Sequence, residues 1–297
     1  MHAGRRTLLR ASAALAAWPL AAWGAPGERP RIVASFSILA DIARALAPAD
    51  AEVSALVGPD SDAHVFEPTP AHGRMLAQAD LVLVNGLGFE GWIDRLIGVS
   101  GFRGPVVVAS RGVPPRQADG ATDPHAWQDL ALGRQYVQTL SAALAERWPA
   151  RRDELALRRA TYLARLARTE QRVREALGAI PRAQRRVISS HDAFGYFGAA
   201  YGVDFLAPQG WNTHSEPSAA AVARLIRQIR QQGVRALFVE NISDPRLIER
   251  IAHEAGVHVG GALYSDALSA PGGPADSYLK LFEHNAVTIA DALAPPR

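Results

Sequence analysis

Short apolar runs alternate with longer amphipathic stretches along nearly the whole chain, and one long charged stretch splits that alternation into two halves. In the first half, Arg31–Phe36, Ala51–Leu56, Leu81–Asn85 and Val106–Ala109 read as strands, with a helix over Ile38–Leu46. In the second half, Arg186–Ser189, Val203–Leu206, Ala236–Val239 and Val257–Ala262 read as strands. Helices are expected there over Ala219–Gln232, Pro245–Ala255 and Ser277–Leu293. Compact buried strands separated by helical stretches predict an α/β fold with a mostly parallel sheet flanked by helices in each half.

Between the halves, Leu130–Arg147 reads as a helix that breaks at Pro149, and Ala150–Leu177 then runs on without glycine or proline. Apolar residues such as Leu155, Tyr162, Leu166 and Val173 recur along it among many arginines and glutamates. This pattern suits either a stiff connector or a long surface helix of one domain. The connector reading gives two lobes, over residues 25–148 and 181–297, joined by one long helix within 149–180.

The amino terminus is different in kind. Met1–Arg10 is basic, and Ala11–Ala22 is apolar but too short to span a bilayer, so residues 1–24 read as a signal peptide. Arg5-Arg6 is compatible with a twin-arginine route as well as with the general secretory route. The formal net charge of +3 is accounted for by Arg5, Arg6 and Arg10, so the mature chain is near neutral and nucleic acid is not an expected partner. No later run is apolar enough for stable membrane insertion. Cysteine is absent, which excludes disulfides, thiolate ligands, cysteine nucleophiles and a lipidated amino-terminal cysteine. Any metal site must therefore use His, Asp and Glu. The expected location is the periplasm, as a monomer.

Three of the nine histidines stand at the ends of predicted strands or in loops with turn-forming or acidic neighbours. His64 lies in Asp60-Ser61-Asp62-Ala63-His64, His125 in Asp123-Pro124-His125-Ala126-Trp127, and His191 in Ser189-Ser190-His191-Asp192. Ligands collect outside the carboxyl ends of strands in open α/β sheets, so these loops can converge. Asp266, after the last strand, could meet them. Asp123, Asp192 and Glu67, with Asp62, could orient ligand imidazoles, or could simply be turn residues. His214, in Thr213-His214-Ser215-Glu216, is a candidate for transient metal acceptance or a solvated loop histidine. Trp92 and Trp127 could cover a cleft or pack in the core.

These segments, together with Asn85-Gly86-Leu87-Gly88-Phe89-Glu90-Gly91-Trp92 and Tyr264-Ser265-Asp266-Ala267-Leu268, resemble the solute-binding proteins of zinc and manganese ABC importers. This is the ZnuA-like and TroA-like cluster, and the resemblance covers essentially the whole mature chain. Val239-Glu240-Asn241-Ile242 and the lack of a long histidine tract look most similar to AztC-type zinc-binding proteins. The resemblance implies that His64 and His125 come from the first lobe and His191 and Asp266 from the second. It also implies a metal in the interlobe cleft and an ABC permease as partner.

Three imidazoles and one carboxylate suit Zn2+, whereas calcium and magnesium prefer oxygen-rich sites and Mn2+ favours more carboxylate. The resemblance adds that the third position is often glutamate in manganese proteins, where His191 stands here. Gly112–Thr122 is short and holds no histidine, so metal is expected to arrive directly or from a periplasmic metallochaperone. The competing reading is a zinc-dependent hydrolase or lyase with an open metal position. Four protein ligands would fill a tetrahedral zinc, and neither an HExxH helix nor a GxSxG elbow is present. The sequence therefore points away from an enzyme; an adhesin role is neither supported nor excluded by it.

Overall fold

The fold is described from a computed structural model that covers residues 29–118, 120–208, 210, 213, 214 and 217–294. The expected signal peptide lies outside the described residues.

Two four-stranded sheets organise the molecule. The first contains β1 (Arg31–Phe36), β2 (Glu52–Val57), β3 (Leu81–Val84) and β4 (Val106–Val108) in the order β2-β1-β3-β4. After a small antiparallel ribbon, β5 (Gln117–Ala118) and β6 (Ala121–Thr122), the second contains β7 (Arg186–Ile188), β8 (Asp204–Leu206), β9 (Ala236–Glu240) and β10 (His258–Leu263). Its order is β10-β9-β7-β8, and every pairing in both large sheets is parallel. Numbered from its own first strand, each sheet has the order 2-1-3-4. The two halves therefore repeat one topology without a close sequence repeat.

Alternation along the strands decides which side chains enter which core. Ile32, Ala34 and Phe36 of β1, and Leu81 and Leu83 of β3, face a central core. Their neighbours Val33, Val82 and Val84 face an outer one, against Leu76 of α2 (Pro70–Ala77) and Ile93 and Leu96 of α3 (Ile93–Ser100). The second sheet repeats the division. Val187 and Phe238 join the central core, while Ile188 and Leu237 pack with α7 (Ala219–Gln232) and α8 (Arg246–Ala255). The lobes thus share one central core, with a separate apolar layer outside each sheet.

Helices fill that shared core: α1 (Ser37–Leu46), α4 (Leu130–Arg147), α5 (Arg152–Gly178), α6 (Gly195–Tyr201) and α9 (Tyr278–Leu293). The long α5 has no glycine or proline until its last residue and buries one stripe at helical spacing, Leu155, Tyr162, Leu166, Val173 and Leu177. It packs against α1, α4, α6 and α9. Glu170 on that stripe pairs with Arg134 of α4 at 2.6 Å and with Arg174 at 2.8 Å. The helix is therefore a spine buried along one face. Among the described residues, no helix is long and apolar enough to cross a membrane.

Candidate metal centre

His64, His125, His191 and Asp266 converge from four loops. The His64 loop follows β2, the His125 loop follows the β5–β6 ribbon, and the His191 and Asp266 loops follow β7 and β10. One ligand-type atom from each lies within 4.8 Å of every other. His64 is 3% exposed and the other three are fully buried, so the cluster is closed to bulk water.

The distances describe a small cage. Nε2 of His64 is 3.3 Å from Nε2 of His125 and 3.2 Å from Oδ2 of Asp266. Nε2 of His191 is also 3.2 Å from Oδ2, and Nε2 of His125 is 3.6 Å from Oδ1. Nε2 of His191 and both Asp266 oxygens are buried without a regular hydrogen bond. Stranding buried polar atoms in this way is costly unless something else satisfies them. Three ring nitrogens and a carboxylate aimed at one point fit a divalent cation.

Neighbouring carboxylates aim two of the rings. Oδ1 of Asp123 lies 2.8 Å from Nδ1 of His125 and accepts the backbone N–H of His125 at 3.0 Å. Oε1 of Glu240, at the end of β9, accepts the backbone N–H of His191 at 2.8 Å, and its Oε2 is in ionic contact with Nδ1 at 2.7 Å. Each contact engages Nδ1 and turns Nε2 inward, the arrangement that orients metal-binding imidazoles. The Asp266 loop is fixed through its backbone: Trp127 Nε1 and Gln128 Nε2 donate to the Ser265 carbonyl at 3.0 and 2.6 Å. Those donors sit on the turn that carries His125, so loops from both halves brace each other.

Burial opposes charge on His125, but the Asp266 and Asp123 carboxylates outweigh it and push the pKa up to about 9. Burial is likewise overcome at His191, which Glu240 and Asp266 hold well above the ordinary imidazole value. At His64, burial wins and the pKa falls. Asp266 is driven well below the usual carboxylate range, because the charges of His125 and His191 overcome its burial. Two protons compete with a cation for this cage.

The other candidate residues have different settings. Asp62 accepts the backbone N–H of His64 at 2.8 Å and the hydroxyl of Thr213 at 2.5 Å, so it shapes the His64 loop and does not orient its ring. Glu67 points away: it is exposed, because the loop turns outward after half-buried Phe66. Asp192 does not pair with His191. Its backbone N–H donates to Gly210, and its pKa is raised by burial and by Asp123. Glu240 takes the role that sequence proximity suggested for Asp192. His214 is exposed, beside the Thr213 that reaches the His64 loop. Trp127 is fully buried with its ring 5.2 Å from that of His125, and half-buried Trp92 donates to the Ala63 carbonyl at 2.8 Å. His72 accepts the Thr69 backbone N–H at the start of α2, and His284 lies 2.9 Å from the Ala262 carbonyl, so both have structural partners.

Known proteins share both fold and chain length. A family model described as "Zinc-uptake complex component A periplasmic" matches residues 32–292. The zinc-binding protein TroA of Treponema pallidum is 32% identical over 277 residues, covering 90% of this chain and 89% of that one. The manganese-binding lipoprotein MntA of Halalkalibacterium halodurans is 31% identical over 270 residues, covering 90% of each. The solved structure of the periplasmic zinc-binding protein TroA superposes with a TM-score of 0.86 at 30% identity, covering 90% of this chain and all of that one. The Mn-bound periplasmic metal-binding protein of Candidatus Liberibacter asiaticus gives a TM-score of 0.81 at 25% identity, with the same coverage. The chain belongs to the zinc-uptake component A family, whose members are metal-binding solute-binding proteins of ABC importers and not enzymes.

Proposed function

We propose that this chain captures one Zn2+ ion in the periplasm through His64, His125, His191 and Asp266 and surrenders it to an ABC permease. The cage spacing carries the reading. Zinc bonds of about 2.0–2.1 Å put tetrahedral ligand atoms about 3.3 Å apart, and three pairs here, Asp266 Oδ2 with His64 and with His191 and His64 with His125, stand at 3.2, 3.2 and 3.3 Å. Zinc is favoured over manganese because imidazoles outnumber the one carboxylate, whereas manganese suits oxygen donors. Relatives named for each metal leave that choice to the donor set.

Each group has a distinct task. Asp123 and Glu240 keep the His125 and His191 rings oriented and basic. Asp266 supplies the negative charge that the cation neutralises. Beside the cage, a cavity of about 450 Å3 includes Asp62, Ser190 and Thr213 in its wall, next in space or sequence to His64 and His191. It offers a path by which a metallochaperone or free ion could load the site, with exposed His214 next in sequence to Thr213 of its wall. Release requires the Asp266 or His191 loop to move, while α5 restrains the lobes.

Metal analysis of protein from its native compartment tests this reading. One equivalent of zinc is expected, sharply reduced in His191→Ala. Unchanged zinc in the variant, or manganese in place of zinc in the wild type, would contradict it.

A further inference from the structure

One surface cation reaches the cage through a single intervening group. Arg116, just before β5, is 38% exposed at its side chain, and its Nη1 donates at 2.8 Å to Oδ2 of the fully buried Asp123. The other oxygen of Asp123 faces Nδ1 of His125 at 2.8 Å. Arginine, carboxylate and imidazole thus form a line from solvent to the metal centre.

The surroundings hold that line in place. The Asp123 backbone N–H donates to the Arg116 carbonyl at 2.9 Å, and the Arg116 backbone N–H donates to the Tyr196 hydroxyl at 2.7 Å. Gly195, from the second half of the chain, packs directly on the ion pair. A Cβ there would stand 2.0 Å from Nη1 of Arg116 and 2.8 Å from Oδ2 of Asp123. The guanidinium therefore occupies space that any residue other than glycine would take.

Asp123 has no water-exposed surface on its side chain. An imidazole N–H alone leaves one of its oxygens without a counter-charge, and a buried carboxylate in that state is strongly destabilised. Loss of the guanidinium would draw the carboxylate outward and slacken its hold on the His125 ring. We propose that Arg116 is a positioning residue for the metal centre. It clamps Asp123 against His125 and thereby sets, from the protein surface, how fast the bound ion leaves. This rests on the reading of the cage as a zinc site.

The test is the zinc dissociation rate of the full chain into excess chelator, for the wild type, His125→Ala, Arg116→Met, Arg116→Lys and Tyr196→Phe. Groups supporting a metal ligand typically change affinity by about 10–100-fold, so Arg116→Met should release zinc about tenfold faster or more. Arg116→Lys should recover part of that loss, because it restores the charge. Tyr196→Phe removes the backbone staple but leaves the ion pair, and should stay within about twofold of wild type. An unchanged rate in Arg116→Met, no recovery in Arg116→Lys, or an equal acceleration in Tyr196→Phe would overturn the role of Arg116 while leaving the zinc site standing. A wild type that holds no zinc, or holds it as well with His125→Ala, would overturn the site and this role together.

Discussion

At the scale of single residues, the cage depends on what stands behind two of its rings. Glu240 engages both the backbone and Nδ1 of His191, so Glu240→Gln should weaken zinc binding by about 10–100-fold. A competition titration against a chelator of known affinity would show it, and unchanged affinity would remove Glu240 from the account. Protons are the other competitor. The pKa of His125 is pushed up to about 9, and that of His191 is raised too, so a metal ion must displace protons to bind near neutral pH. Affinity should therefore climb as the pH rises toward 9. Calorimetry in buffers of different ionisation enthalpy should record proton release, and its absence would count against these charge states.

The same residues mark what could be read from sequence. His64, His125 and His191 were legible because each stands among turn-formers at the end of a strand or in a connecting loop. Asp123 was legible as a partner because only one residue separates it from His125. Glu240 was not, because it lies 49 residues from His191 and reads as the end of an ordinary strand. Only the Val239-Glu240-Asn241-Ile242 run singled it out. Asp192 and Glu67 show the converse: nearness in sequence to a histidine does not determine where a side chain points.

At the scale of elements, the longer helices and the sheet strands are legible, and the short helices and the antiparallel ribbon are not. The expected helices over Leu130–Arg147 and Ala219–Gln232 match α4 and α7, and the eight expected strands all form, with ends shifted by a residue or so. Outside the expected elements stand α2, α3, α6 and the β5–β6 ribbon, each of eight residues or fewer. A signal for α2 existed in Thr69-Pro70, a capping residue followed by proline in the first turn. The character of α5 was only half legible, since its charged face concealed how much of the other face is buried. Leu166 on that face is fully buried in the shared core. Leu166→Ala should cost about 2–5 kcal/mol of stability in denaturant titrations, while the variant still binds one zinc. Full stability would contradict a buried, load-sharing face on α5.

At the scale of the whole molecule, two sheets of the same topology share one core, and this limits how the site can open. The central core and α5 span both halves, so metal-free and metal-loaded forms should differ in the loops around His191 and Asp266. They should not differ by a large rotation of one half against the other. Crystal structures of both forms would decide this, and a wide hinge opening would contradict it. The charge pattern also has a stability consequence. The folded-state pKa of His125 lies above the ordinary imidazole value of about 6.5, so its ion contacts stabilise the metal-free fold below that pH. The contribution is lost as the pH rises through about 9. Metal-free protein should melt at a lower temperature above pH 9 than near pH 6.5, and a flat melting profile would contradict the assigned charges.

X-ray absorption at the zinc edge of the loaded protein tests the central claim most directly. The account predicts one zinc per chain, bound by three imidazole nitrogens and one carboxylate oxygen at about 2.0–2.1 Å, and loss of one imidazole shell in His191→Ala. Fewer than three imidazoles in the wild type, or a spectrum unchanged by that substitution, would contradict it.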